Sequence, residues 1–320
     1  MEPGRPLWNK LPVEICLMIL DQLVLAEQQD GGSVAPYAAV CSEWQAVIEP
    51  ITFRSIKFTP SLLQIPGFAS MANRARDLDL VRRIDLFIPL AEYGCFECRD
   101  AVEEEEWTAN RQTTRSALNA VLSFLSTWKP NGSLSLDITV QSPSDPNHWF
   151  KHVDLDNHRQ NTVVAAHDPR HGWEHGSRVA LPQGEAIFRL FGDIELLPEH
   201  WQELPQVTAV TNLYLRRQTT RRWEPGGIQE LVKRLVGLKE LHYEPWREWN
   251  LWDTATTDAS KLALQSLTRD STYLAIHRVQ LINHGRHASR HPASLRIVAF
   301  SWAWAVQNRI VRRLLGCLYH

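Results

Sequence analysis

The sequence predicts a mixed α/β protein in which a small N-terminal helical module precedes an irregular array of strands and helices. Two helical patterns of apolar residues lie within the first module, residues 1–58. Strand patterns then alternate with helical ones from residue 80 to residue 245, and two segments near the end of this region share one apolar spacing. The second domain is therefore predicted to span residues 59–320, with a long insertion at 140–182 and a tail of undefined fold at 284–320.

The composition is that of a folded protein without a basic surface. Of the 320 residues 44% are hydrophobic and 22% are charged, which predicts a packed core. The net charge of −2 argues against nucleic-acid binding. Five irregularly spaced cysteines favour reduced thiols. The N-terminus lacks the pattern of a secretory signal, and the longest apolar run (295–306) is too short to cross a membrane. We expect a protein of the cytoplasm or nucleus with no membrane partner.

The first helix is predicted over residues 11–25 and carries more apolar surface than its own fold requires. Pro12 suits the first turn, and Glu14 favours the positive end of the helix. One apolar stripe consists of Ile15, Ile19 and Leu23, and another of Leu17, Leu20 and Val24. Because a surface helix needs only one buried stripe, the second predicts a contact with something else.

A polar loop over residues 27–33 separates this helix from the next one. Tyr37, Val40, Trp44, Val47 and Ile48 share one face of the second helix, which Pro50 is expected to end. A short extended segment over residues 51–58 is predicted to follow.

The middle of the chain is predicted as strand, helix and strand. Residues 81–88 and 134–140 alternate as strands do, and residues 103–128 form the clearest helix of the chain. An acidic run begins that helix, and its expected buried stripe consists of Leu118, Val121, Leu122 and Leu125. Residues 141–182 are rich in Pro, Asn, Asp and His and indicate a long excursion.

Two later segments share an apolar spacing that is typical of repeats. The first contains Leu204, Val207, Val210, Leu213 and Leu215, and the second contains Leu235, Leu238, Leu241 and Tyr243. Leu213 and Leu241 are 28 residues apart, within the range of about 20–29 residues that leucine-rich repeats have. A helix near 228–235 lies between them. The spacing favours an αβ solenoid over an ordinary α/β sheet, and places Leu213, Leu215, Leu241 and Tyr243 inward on neighbouring parallel strands.

The N-terminal patterns resemble the F-box motif. The first pattern, LPxEIxxxIL, is made by Leu11, Pro12, Glu14, Ile15, Ile19 and Leu20, with Leu23 after it. The second, VCxxWxxxIEPxxF, is made by Val40, Cys41, Trp44, Ile48 and Phe53. The later stretches VTNLYLRRQTTRRWEP and LKELHYEPWREW look like the signature of filamentous-fungal F-box proteins with degenerate leucine-rich repeats. The resemblance covers residues 11–58 and, more loosely, 80–250.

This resemblance implies a substrate receptor of a cullin-based ubiquitin ligase. The F-box would be a helical module that docks on a Skp-type adaptor and, through it, on a cullin, while the repeats hold an unidentified client protein. The implied adaptor-binding residues are Leu11, Pro12, Glu14, Ile15, Ile19, Leu20, Leu23, Val40 and Trp44. The alternative is a stand-alone αβ repeat scaffold for protein interactions, in which the first helices only cap the array.

The sequence predicts neither catalysis nor a bound metal or other cofactor. It contains no nucleophile elbow, zinc-protease motif, phosphate-binding loop or dinucleotide-binding motif. Cys95 and Cys98 have zinc-ligand spacing, but no second CxxC follows, so a pair of histidines would have to complete a site. Two histidine series recur every few residues (His167, His171, His175 and His284, His287, His291), and surface loops are the favoured interpretation of both.

Three further features each have two interpretations. Arg216, Arg217, Arg221 and Arg222 form either a recognition patch for an anionic group or a turn whose arginines pair with Glu224 and Glu230; we favour the latter. Trp246 and Trp249 are expected to pack at the edge of the repeats rather than bind a partner. The basic segment 295–318, with Trp302 and Trp304, either lies on a membrane surface or forms a final capping helix, which we favour.

Overall fold

The computed structural model of the protein describes residues 8, 11–63, 79–129, 132–149, 167–175, 177–180, 182, 184–216, 219–244, 278–284 and 294–299. The chain divides into two compact units. The N-terminal unit consists of Met1–Ile56 with Ser70–Arg83, and the sheet unit consists of Lys57–Ala69 with Ile84–His320. In the described part of the chain, no helix is long and apolar enough to span a membrane.

The N-terminal unit is helical. Helix α1 is Val13–Gln29, a 3-10 helix is Ala35–Ala39, and helix α2 is Ser42–Thr52. Val24, Val34 and Ile48 form its small core, against which Tyr37 and Ile51 pack. Burial of these apolar side chains holds the two helices together.

Helix boundaries in this unit differ from the prediction at four points. Pro12 occupies the N-cap with an extended backbone rather than the first turn, and α1 runs on through Glu27 to Gln29. The predicted second helix is interrupted at Cys41, whose backbone is extended (φ −162°, ψ 172°). Pro50 does not end α2, because it lies in the last turn, where the Phe53 N–H still donates to the Glu49 carbonyl (2.9 Å).

The sheet unit contains the remaining elements. The α-helices are α3 (Pro60–Leu63), α4 (Glu104–Ser126), α5 (Gly184–Phe191), α6 (Pro198–Gln202) and α7 (Pro225–Arg234). The long strands are β1 (Ser55–Phe58, which begins in the N-terminal unit), β2 (Arg83–Pro89), β3 (Ser135–Gln141), β7 (Asn212–Leu215), β9 (Glu240–Tyr243), β10 (Arg278–His284) and β11 (Ser294–Ala299). Four two-residue strands are β4 (Trp173–Glu174), β5 (Ser177–Arg178), β6 (Asp193–Ile194) and β8 (Arg222–Trp223).

The long strands form one seven-stranded sheet in the order β1-β2-β3-β7-β9-β10-β11. The pairs β3–β7, β7–β9 and β9–β10 are parallel, whereas β10–β11 is antiparallel. The short strands pair separately, β4 with β5 and β6 with β8. The protein is thus mixed α/β with a largely parallel sheet and seven α-helices in its described residues, as the sequence predicts at this level.

The predicted register of the two similar segments is confirmed. Leu213 lies opposite Leu241 and Leu215 lies opposite Tyr243 in the β7–β9 ladder, and all four side chains are buried. The chain between them passes through α7 and turns at Gly237. A Cβ atom at Gly237 would lie 2.1 Å from the Thr208 carbonyl oxygen, so the turn requires glycine.

The central helix and its flanking strands also match the prediction. Every member of the expected α4 stripe is buried (Leu118, Val121, Leu122 and Leu125), as are Ile84, Leu86 and Ile88 on β2 and Leu136, Ile138 and Val140 on β3. Phe58 of β1 packs edge-on against Phe124 of α4, with ring centroids 5.5 Å apart. This side of the sheet is an apolar core assembled from regularly spaced residues.

The predicted excursion at 141–182 contributes Trp149 to a second apolar cluster, whose other members come from the turn after β2 and from α5. Cys98, Trp149, Ala186, Leu190 and Phe191 form this cluster, and Tyr93 packs against it. The Trp173 indole N–H donates to the Trp149 carbonyl (3.1 Å), which ties the two described stretches of the excursion together.

The tail differs from the prediction where it is described. Residues 294–299 form strand β11 rather than the start of a capping helix, since they continue the sheet beside β10. His284 ends β10. Trp246, Trp249, His287, His291, Trp302 and Trp304 lie outside the described residues.

Candidate functional site

The first candidate site is the exposed apolar face of α1. Ile15 and Ile19, which fall on one side of the helix, are both 41% exposed, and Leu11, which precedes the helix, is 40% exposed. Pro12 and Glu14 beside them are exposed, as is Val40 after the 3-10 helix. Six of the nine residues predicted to bind an adaptor are therefore accessible to a partner.

The other three predicted residues are less accessible. Leu20 is 1% exposed and is a core residue, so, contrary to the prediction, its side chain is not accessible to an adaptor. It lies about 140° around the helix from Ile15, on the side of Val24. Leu23 and Trp44 are half-buried, and the Trp44 ring packs against Trp8 (centroids 5.2 Å apart) and Tyr37 (6.2 Å).

The second candidate site is a group of one cysteine and two histidines in the sheet unit. Single ligand atoms of Cys95, His148 and His171 all lie within 4.8 Å of one another. Cys95 Sγ is 3.7 Å from His148 Nδ1, which is 3.2 Å from His171 Nε2. Both histidines are buried, whereas Cys95 is exposed in a turn that follows β2.

Each histidine is held through the ring nitrogen that points away from the group. His171 Nδ1 is 2.7 Å from Asp168 Oδ2, and His148 Nε2 is 3.3 Å from the Tyr93 carbonyl oxygen. Burial lowers the pKa of His148, because an imidazolium would lose its hydration there. The tight turn that presents His171 ends at Gly172 (φ +70°), where a Cβ atom would lie 2.5 Å from the Ala180 oxygen.

A buried ion pair supports the loop that carries His148. Arg221 Nη1 is 2.7 Å from Asp145 Oδ2, and the Asp145 side chain has no exposed surface. Asp145 also accepts hydrogen bonds from Tyr93 Oη (2.9 Å) and from the Ser142 backbone N–H (2.9 Å). The Tyr93 ring in turn stacks on the His148 ring, with centroids 5.1 Å apart.

Reasoning from the sequence missed this group for an identifiable reason. The CxxC spacing pointed to Cys98 as the companion of Cys95, whereas the fold brings Cys95 two histidines from 53 and 76 positions further along the chain. Cys98, its expected partner, is buried and donates its thiol proton to the Cys95 carbonyl (3.3 Å) instead. No short-range spacing encodes such a group, and only His171 belonged to a histidine series.

The described arginines of the arginine-rich turn form ion pairs with aspartates, whereas the prediction named Glu224 and Glu230 as their partners. Arg216 pairs with Asp137, Arg221 with Asp145 and Arg222 with Asp193. Glu230, one expected partner, pairs with Lys233 instead. Arg217 lies outside the described residues. The three described guanidinium groups are thus engaged within the fold, which favours the structural interpretation over a recognition patch.

A cavity between α4, α5 and β6 is lined in part by Arg189 and Arg111, and each of these side chains is engaged with a neighbouring group. Arg189 binds both carboxylate oxygens of Glu106 (2.7 and 2.8 Å), and its guanidinium lies 4.9 Å from the Tyr93 ring centroid. The Arg111 guanidinium lies 3.5 Å from the centroid of the Trp107 ring. These contacts give the wall of the cavity a structural role.

No family model, curated protein or solved structure matches this chain. The function is therefore inferred from the geometry of the chain itself.

Proposed function

We propose that the protein is an F-box substrate receptor, in which the exposed face of α1 docks on a Skp-type adaptor of a cullin-based ubiquitin ligase. The observation that carries the proposal is the division of α1 into two apolar sides. Leu20 and Val24 are buried, while Ile15 and Ile19 remain exposed on the other side, as does Leu11 just before the helix. A row of exposed aliphatic side chains on a soluble module is typical of a partner surface.

The resemblance of residues 11–53 to the F-box motif supports a Skp-type adaptor as the partner that binds this surface. In this proposal the protein performs no chemistry of its own. It holds a client near an enzyme supplied by other subunits, so its effect is to raise the effective concentration of that client.

The sheet unit is proposed to be an irregular leucine-rich-repeat-like solenoid that holds the client. Its long strands follow one another in the sheet in the same order as in the chain, as solenoid strands do. Strands β7 and β9 pair in parallel with α7 between them, and equivalent leucines lie opposite each other. The antiparallel strand β11 is a departure from this pattern.

The test is adaptor binding by a double variant of the exposed face, Leu11→Ser with Ile15→Ser. Each aliphatic anchor removed from the centre of an interface costs about 2 kcal/mol. At about 1.4 kcal/mol per tenfold, two should weaken adaptor binding roughly a thousandfold. The Kd for a purified Skp-type adaptor is measured by titration calorimetry, and thermal unfolding checks that the variant remains folded.

Two control variants separate the exposed face from the core. Leu17→Ser removes a side chain of equal exposure (42%) that lies about 200° around the helix from Ile15, so it should leave adaptor binding unchanged. Ile48→Ala empties a fully buried position and should lower the melting temperature. If wild-type protein does not bind the adaptor, or if the double variant binds as wild type does, the ligase assignment fails and the stand-alone scaffold takes its place.

A further inference from the structure

The group formed by Cys95, His148 and His171 goes beyond the proposed adaptor and client contacts. We propose that these three residues bind one Zn²⁺ ion through a thiolate and two imidazole nitrogens, with water at the fourth corner of a tetrahedron. Nothing in the proposed receptor function requires this site, so the two proposals stand or fall separately.

Two of the three distances between the ligand atoms fit a tetrahedral zinc ion, and the third, between Cys95 and His171, lies within 4.8 Å. Bond lengths of about 2.3 Å to sulfur and about 2.0–2.1 Å to nitrogen place sulfur about 3.6 Å from nitrogen, and two nitrogens about 3.3 Å apart. The Cys95 Sγ to His148 Nδ1 distance is 3.7 Å, and the His148 Nδ1 to His171 Nε2 distance is 3.2 Å. The histidine side chains therefore already have the required spacing, and exposed Cys95 is free to adjust.

The hydrogen bonds of the two histidines direct the other nitrogen of each ring toward a shared space, where a cation would be stabilised. His171 Nδ1 faces a carboxylate and His148 Nε2 faces a carbonyl oxygen, so each of these nitrogens carries the ring proton as a donor. When both rings are neutral, His148 Nδ1 and His171 Nε2 present lone pairs to each other across 3.2 Å, where a proton or a metal ion can lie. The Cys95 thiol can donate its one proton to only one of these nitrogens. A metal ion, by contrast, accepts an electron pair from each nitrogen and from the thiolate.

The surroundings of the ligands are those of a built metal site. Metal-binding histidines usually donate their second N–H to a carboxylate or carbonyl oxygen, which fixes the ring and raises its basicity. Asp168 and the Tyr93 carbonyl occupy these positions. The Tyr93–Asp145–Arg221 network holds the His148 loop in place from behind.

The donor set selects the metal. Thiolate and imidazole are ligands for zinc and related transition metals, whereas Mg²⁺ and Ca²⁺ require oxygen. In the described part of the chain the group includes no carboxylate, and no fourth residue of a ligating type joins it. Three protein ligands leave a coordination position that water fills.

Zinc would join three segments that are distant in sequence. Cys95 follows β2, His148 follows β3, and His171 precedes β4. Since the unfolded chain does not hold these ligands together, metal binding adds to the stability of the excursion and of the turn that carries Cys95.

The test is metal binding by the full-length chain after treatment with a chelator. Zn²⁺ is titrated in competition with a chromophoric chelator, and Co²⁺ is titrated separately to read the coordination. We expect one zinc per chain, cobalt d–d bands of tetrahedral intensity, and a thiolate-to-cobalt charge-transfer band. Cys95→Ser should remove that band and weaken zinc binding by at least about tenfold.

Matched variants guard against nonspecific binding and misfolding. Cys41→Ser removes a thiol of the N-terminal unit and His167→Gln removes an exposed histidine of the same loop as His171, so both should bind zinc as wild type does. Asp168→Asn keeps all three ligands and should weaken zinc binding by about 10–100-fold. Absence of stoichiometric zinc in wild type, equal binding by Cys95→Ser, or exclusive uptake of copper would overturn the assignment.

Discussion

Strands β7 and β9 and the described part of the excursion are both buried, but different forces build them. The β7–β9 ladder rests on Leu213, Leu215, Leu241 and Tyr243 at regular spacing. The excursion rests on the pairs Asp145–Arg221 and His148–His171, whose members are 76 and 23 residues apart. Apolar burial is nondirectional and tolerant, while a buried charge is stable only with its particular partner in place. The two regions should therefore respond differently to substitution.

The largest expected effect is loss of the buried carboxylate in the excursion. Asp145→Ala leaves the Arg221 guanidinium, which is 10% exposed, without its partner. Breaking a buried ion pair from one side costs roughly 3–5 kcal/mol, because the remaining charge is neither hydrated nor paired. Chemical denaturation of the variant should show this loss in the free energy of unfolding.

The neighbouring ion pair provides the matched control. Asp193 pairs with Arg222 at 3.0 Å, but its side chain is 39% exposed. Asp193→Ala should cost less than Asp145→Ala, since the Asp193 carboxylate is already partly hydrated and the Arg222 side chain that it leaves is 16% exposed. Equal losses for Asp145→Ala and Asp193→Ala would show that burial of the charge does not distinguish the two sites.

Leu241→Ala tests the apolar side of the comparison. Leu241 is 1% exposed and lies opposite Leu213, so its truncation removes burial and leaves a cavity. We expect a destabilisation of roughly 2–5 kcal/mol by chemical denaturation. Val236→Ala, at an exposed position in the turn before β9, should cost far less. An unchanged midpoint for Leu241→Ala would mean that the ladder does not depend on this contact.

The same contrast explains what could be predicted of the fold. Apolar spacing identified α4, β2, β3 and the β7–β9 register, because each of these elements is specified by residues a few positions apart. Helix ends were predicted less well. Pro50 lies in the last turn of α2 and does not end the helix, which the sequence pattern alone does not show. The helix break at Cys41 contains neither Gly nor Pro, so no residue type there indicates it.

The candidate sites divide in the same way. The exposed side of α1 was predictable, because a second apolar stripe is visible in the spacing of Leu11, Ile15 and Ile19. Assignment of Leu20 to that surface failed, since the motif pattern does not say which side of the helix faces the core. The group of Cys95, His148 and His171 is set by tertiary structure alone, so no local pattern could have revealed it.

The smallest expected effect compares one tyrosine from each region. Tyr93 Oη donates to the Asp145 carboxylate at 2.9 Å, whereas Tyr243 Oη reaches the Trp223 carbonyl only at 3.5 Å. A hydrogen bond to a charged group contributes about 1.5–3 kcal/mol, and one between neutral groups about 0.5–1.5 kcal/mol. Tyr93→Phe should therefore destabilise the protein more than Tyr243→Phe at pH 7, as measured by chemical denaturation.

The same two tyrosines should also determine how the free energy of unfolding changes at alkaline pH. Burial, above all, raises the pKa of both Tyr93 and Tyr243, so the folded protein holds these phenolic protons more tightly than the unfolded chain. Their contribution is complete below the unfolded pKa of about 10 and is lost as pH rises beyond it. The free energy of unfolding should fall above about pH 10, by up to about 1.4 kcal/mol per pH unit for each tyrosine. Each Phe variant should show a shallower fall by that amount, and parallel curves for wild type and both variants would contradict the assignment of this pH dependence to buried tyrosines.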